Sequence, residues 1–131
     1  MHHLVYTSSA TLPFPEQELR RLLVQWRANN ARLGVTGVLM YSDGDIMQVL
    51  EGESDRVHDL FDVIAADVRH QGVTKIADGP VRERAFADWS MRFRAVDIAD
   101  FQRHVEQLRD APNHASDLAP LLEAFMAPEA W

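Results

Sequence analysis

At 131 residues and 47% apolar content the chain suits one globular domain with its own core, and the absence of cysteine excludes disulfides, thiolate catalysis and cysteine-ligated zinc. A formal net charge of -7 opposes nucleic-acid binding, because phosphates select clustered Lys and Arg. No run approaches the ~20 apolar residues that span a bilayer, and "MHHLVYTSS" enters a strand without the regions of a signal peptide, so a soluble, cytoplasmic protein is expected.

In chain order, "HLVYTSS" (3–9) reads as a first strand, with Leu4, Tyr6 and Ser8 on one face and Val5 and Thr7 on the other. "TLPFP" ends it. From about Glu16, Leu19, Leu22, Leu23 and Trp26 recur at helical spacing as far as "ANNARLG", where Gly34 suits a helix C-terminus. "VTGVLMYS" and "DIMQVLE" are strand-like runs joined around Asp43-Gly44, a strong hairpin signal. The second run is apolar at consecutive positions, which asks for cover on both faces, and Gln48 interrupts it. A buried amide left without partners costs roughly 1 to 3 kcal/mol, so Gln48 needs them.

A second helix is expected after Gly52, capped by Ser54 or Asp55, carrying Val57, Leu60, Phe61, Ile64 and Val68 and ending near "RHQG". "VTKIADGP" reads as a fourth strand and "FADWSMRFRAV" as a fifth, with Trp89, Met91 and Phe93 sharing a face. The order βαββαββ is that of a ferredoxin-like α+β core with an added strand: a five-stranded mixed sheet with both helices on one face. Ile98, Phe101, Val105 and Leu108, a "DAPNHASD" break, and then Leu118, Leu121, Leu122, Phe125 and Met126 predict two short amphipathic helices. These should cover the opposite sheet face or a partner protein. Residues 1–95 form the expected core and 96–131 a helical extension of the same unit; in the extension seven acids stand against Arg103 and Arg109.

The six histidines show no metal-binding spacing, and no metal is expected. No GxSxG, P-loop or GxGxxG occurs. What stands out is a neutral polar set, Tyr6, Ser8, Asn29, Asn30 and Gln48. In a ferredoxin-like core the first and third strands are neighbours, so Tyr6 and Gln48 meet on one face beside the end of the first helix. Such a site suits a flat, neutral heterocycle better than acid or base chemistry. Singly, each residue has an ordinary structural explanation: a satisfied strand amide, a core aromatic, a helix end rich in Asn, core Trp89 and Met91, and Arg69 with His70 complementing a helix dipole.

Together, "LVYTSSA", "NNARLGVTGVLMYSDGDIMQVLEG", "DVRH" and "RAFADWSMRF" resemble the BLUF domain, a flavin-binding blue-light sensor module, over roughly residues 3 to 95. The resemblance implies FAD held noncovalently between the two core helices. It implies Tyr6 as the photoactive tyrosine, Gln48 as the relay between that phenol and the flavin, and Asn30, with Asn29 beside it, as a hydrogen-bonding partner of the ring. Ser8, Trp89 and Met91 would surround the relay, Ile64 would pack on the ring, and Arg69 and His70 would lie towards the ribityl and phosphate end. Ile46 stands where many members carry phenylalanine, and Arg92 where glycine is frequent. The implied function is light-driven electron and proton transfer from Tyr6 through Gln48, leaving a rearranged hydrogen-bond network that signals to a partner in trans or through a homo-oligomer, for which Trp131 and the apolar C-terminal helices offer a surface. The chain has room after residue 95 for two helices and no catalytic module, so no enzyme activity is expected. The competing readings are a flavin-dependent oxidoreductase on the same fold and a cofactor-free ferredoxin-like interaction module.

Overall fold

Asp43 and Gly44 adopt positive φ angles of 45° and 96°, a backbone that matches a two-residue turn to strand twist. They join β2 (Thr36–Ser42) to β3 (Asp45–Gly52). In this computed structural model, which describes residues 1–11, 14–110 and 118–126 apart from the side chains of His70, Ala119 and Pro120, the other strands are β1 (His2–Ala10), β4 (His70–Pro80) and β5 (Arg92–Ala95). The sheet order is β4-β1-β3-β2-β5, with β1 antiparallel to both neighbours and β5 parallel to β2. The mixed, ferredoxin-like arrangement with an added edge strand is therefore present.

Two helices cover one face. α1 (Glu16–Leu33) stops where Gly34 turns left-handed at φ 69°, its N–H donating back to Ala31 O at 3.2 Å. With α2 (Ser54–Ala66) it brings Leu19, Leu23, Val57 and Phe61 onto Leu4, Tyr6, Ile46 and Leu50. α3 (Ile98–Asp110) and α4 (Ala119–Phe125) cover the other face, packing Phe101, Val105, Leu121 and Phe125 against Val5, Met40, Met47 and Val49. β3 is thus buried on both sides: Ile46 and Leu50 belong to one core, Met47 and Val49 to the other. The C-terminal helices satisfy the demand that the doubly apolar strand made. Among the described residues no helix is long and apolar enough to cross a membrane.

β2 and β3 approach closely at Gly37, where a Cβ would lie 1.8 Å from Val49 O, so no side chain fits.

The structure corrects several expectations. α2 ends at Ala66, not near "RHQG": Asp67 leaves it with extended backbone and binds Arg69, and Val68 is 87% exposed. Neither Ser54 nor Asp55 caps α2. Glu53 occupies that position without a side-chain capping bond, and the Ser54 hydroxyl lies 3.3 Å from His58 Nδ1. The fifth strand is only Arg92–Ala95, because the preceding backbone is held elsewhere: Ala85 and Phe86 N–H groups donate to the buried Glu51 carboxylate at 2.6 and 3.0 Å, and Trp89 O accepts from Gly37 N–H at 2.9 Å. Trp89 and Met91 consequently do not share a face. Ile98 and Met126 are exposed, so the two C-terminal stripes are buried in their middles and not at those ends. Most of "DAPNHASD", with His114, and the terminal Trp131 lie outside the described residues.

Candidate functional site

Pairing of β1 with β3 sets Tyr6 directly opposite Gln48, and both side chains point to the α1/α2 side by strand alternation. The Tyr6 hydroxyl donates to Gln48 Oε1. Both are buried, Tyr6 at 1% and Gln48 at 5% exposure. The other end of the amide, Nε2, donates to Met91 Sδ at 3.4 Å, and a thioether is a weak acceptor for so strong a donor.

Met91 is delivered there by two bonds from α1. Asn30 Nδ2 donates to Ser90 O at 2.8 Å and Arg27 Nε to Met91 O at 2.7 Å. The segment before β5 is thereby tied to α1, and its sulfur falls on the amide. Trp89 goes the other way: it stacks on Phe86 with centroids 6.0 Å apart, lies under the Arg92 guanidinium, and packs against the α3/α4 core.

Between α1 and α2 lies a cavity of about 190 Å³ lined by Tyr6, Asn29, Asn30, Gln48, Ile64 and Arg69. These six come from the sequence-predicted set. Ser8 and its cross-strand partner Ile46 are buried without lining it. His70 opens β4, and its side chain lies outside the described part. Sequence reasoning passed over Gln25, Trp26, Leu39, Leu60, Val63 and Asp67, which also line the cavity. A signal for half of these existed: Gln25–Asn29 and Trp26–Asn30 are i,i+4 pairs on one helix, and Leu60 precedes Ile64 by four.

The deep end of the cavity is chemically neutral. Burial pushes the Tyr6 phenol up from its ordinary value, so it stays a protonated donor. The charged pair sits at the more exposed edge, where Asp67 grips Arg69 through Nε at 3.0 Å and raises its pKa further, while Arg69 stays 40% exposed. A pH dependence follows from Tyr6. Its folded pKa lies above the unfolded value, so its share of stability is whole below about pH 10 and is lost as pH rises beyond. The denaturation midpoint should fall more steeply above that pH for the wild type than for Tyr6→Phe.

A family model described as "Sensors of blue-light using FAD" (BLUF) matches residues 1–92. This chain belongs to the BLUF family. Its members are blue-light flavin sensors. The chain is 34% identical over 129 residues to the photoactivated adenylate cyclase subunit beta-like protein FB of Euglena gracilis, a match covering 98% of this chain and 14% of that protein. It spans about 10–14% of the length of such curated relatives. Among solved structures, BlrB, described as a BLUF protein in its dark state, shares 32% identity at a TM-score of 0.68, with 95% of this chain and 89% of that one covered. The BlsA ground state shares 26% identity at a TM-score of 0.75, covering 99% and 91%.

Proposed function

We propose that this chain is a blue-light photoreceptor that holds FAD noncovalently between α1 and α2 and signals to a partner protein in trans. The observation that carries the reading is the buried Tyr6–Gln48 pair at the cleft floor, with the amide N–H resting, among the described residues, on the weak Met91 sulfur acceptor. An amide so placed fits a ring edge that offers a better acceptor. Asn30 spends one N–H on Ser90 and would use its remaining amide atoms on the ring, with Asn29 alongside. Ile64 would pack on the ring, while Arg69, and His70 next to it in sequence, would serve the phosphate end. Ser8, Ile46, Met91 and Trp89 would support the relay from behind.

Bound flavin supplies the blue-light absorption and, once excited, a strong one-electron oxidant. With flavin bound, Tyr6 would supply that oxidant with its electron, and Gln48 would accept the Oη proton at Oε1 and release one from Nε2 to the ring. When electron and proton return, Tyr6 is restored and Gln48 is left rotated or tautomerised, with donor and acceptor ends exchanged. Met91 Sδ then faces a different amide atom, and the segment that carries it leads into β5 and α3. That route biases the C-terminal helices as a population shift, and their exposed Ile98 and Met126 suit a partner surface.

The test is the absorption spectrum of the purified protein before and after blue light, with acid extraction of the cofactor. A yellow protein releasing FAD, whose band moves reversibly to longer wavelength, is expected. A colourless protein that takes up no FAD on refolding would overturn the proposal.

A further inference from the structure

Sequence spacing places the histidines on unrelated elements, yet the fold gathers two of them around one acid. His2 at the start of β1, His58 on α2 and Asp78 on β4 offer ligand atoms within 4.8 Å of one another. His2 Nε2 lies 2.5 Å, and His58 Nε2 2.8 Å, from the same oxygen, Asp78 Oδ1.

The outer contacts decide which atoms face inward. His58 Nδ1 lies 2.7 Å from the Ser54 carbonyl, which only accepts, so Nδ1 carries a proton and Nε2 is the atom turned to Asp78. At 2.8 Å a proton bridges Nε2 and the carboxylate. The carboxylate is also held: Lys75 Nζ donates to the other oxygen, Oδ2, at 2.9 Å, which His58 Nε2 approaches at 3.1 Å, while both imidazoles lie closer to Oδ1. A histidine fixed through its far nitrogen to a backbone carbonyl, and a carboxylate fixed through its second oxygen, are the outer-shell contacts that metal ligands require.

We propose that His2, His58 and Asp78 form a binding site for a divalent transition ion of the Zn²⁺ class, with water completing the coordination. Zn²⁺ takes imidazole nitrogen and carboxylate oxygen at about 2.0–2.2 Å, and three protein ligands with an open position make a recognised set. The present contacts are hydrogen-bond lengths, so the ion enters in place of a shared proton, with the ligand atoms separating by less than about 1 Å. Metal and proton compete for the same lone pairs. Lys75 is a cation beside the site, while burial and then His2 lower the pKa of the neighbouring His3 and keep it neutral. His58 itself is raised, chiefly by the Ser54 bond and, against some desolvation, by Asp78.

Calorimetric titration of the untagged, full chain with Zn²⁺ at pH about 7.5 should show one ion per chain and weaker binding on acidification through the imidazole range. His58→Gln, at a half-exposed position, and His2→Gln, at the chain end, should each weaken binding by at least the roughly 10–100-fold that loss of an outer-shell contact costs, with circular dichroism unchanged. His104→Gln, on α3, should leave it unaltered. No saturable binding up to about 1 mM Zn²⁺, or binding insensitive to both His2→Gln and His58→Gln, would overturn the site and leave a proton-held cluster. The readout needs neither light nor flavin, so it stands apart from the photoreceptor proposal.

Discussion

Gln48→Leu is expected to abolish the light-induced red shift and to leave the protein folded and able to take up flavin. Leucine has a similar volume and enters a strand whose neighbours Met47, Val49 and Leu50 are fully buried apolar residues, so packing is nearly conserved. The cost is the buried Tyr6 hydroxyl, which loses its acceptor Oε1, about 1–3 kcal/mol less any gain from burying leucine. Function should be lost outright, because among the described residues no other side chain both accepts the Tyr6 proton and presents an N–H to the cleft. Tyr6→Phe should give the same silence by removing the donor. Light-minus-dark spectra of both variants, beside urea denaturation, read the two effects separately; a persisting shift in either variant would refute the relay.

The largest stability loss outside the apolar cores is expected from Glu51→Ala. Glu51 is 1% exposed, and its carboxylate accepts the N–H groups of Ala85 and Phe86 and the Thr36 hydroxyl at 3.0 Å. Arg84 reinforces the same junction by donating to Thr36 Oγ1, Glu51 O and Gly34 O. Truncation strands two backbone donors, one of them on a fully buried residue, and each costs about 1–3 kcal/mol. A loss of about 3–5 kcal/mol in urea denaturation follows. Glu51→Gln, which keeps one acceptor oxygen, should lose about half of that. The same segment carries Ser90 and Met91 to Asn30 and Gln48, so Glu51→Ala should also alter the rate of dark recovery, although Glu51 points to the opposite side of the sheet from the cleft. Unchanged stability would show that the loop holds itself.

Much of this fold was legible because its signals are local. Asp43-Gly44 fixes the hairpin, Gly34 ends α1, and consecutive apolar residues in β3 foretell helices on both faces. The ferredoxin-like strand order then places Tyr6 beside Gln48. The failures are long-range. Alternation of Trp89, Met91 and Phe93 fits a strand, and nothing nearby in sequence says that Glu51, more than thirty residues earlier, captures the backbone ahead of it. Val68 continues the apolar period of α2 but falls beyond a helix that Asp67 and Arg69 close between them. The Met91 side chain on Gln48 depends on bonds from Arg27 and Asn30, and the gathering of His2, His58 and Asp78 depends on three elements meeting. Residue type marks what must be satisfied, and only the assembled chain decides by whom.

One peptide separates Gln48 from Met47 and Val49, yet those neighbours belong to a different core from the one that Gln48 serves. Under the proposed function, the layer that senses and the layer that answers would be two sides of a single extended backbone. For such an architecture the difficulty would be insulation, not reach: a displacement of β3 driven from one layer is presented directly to the other.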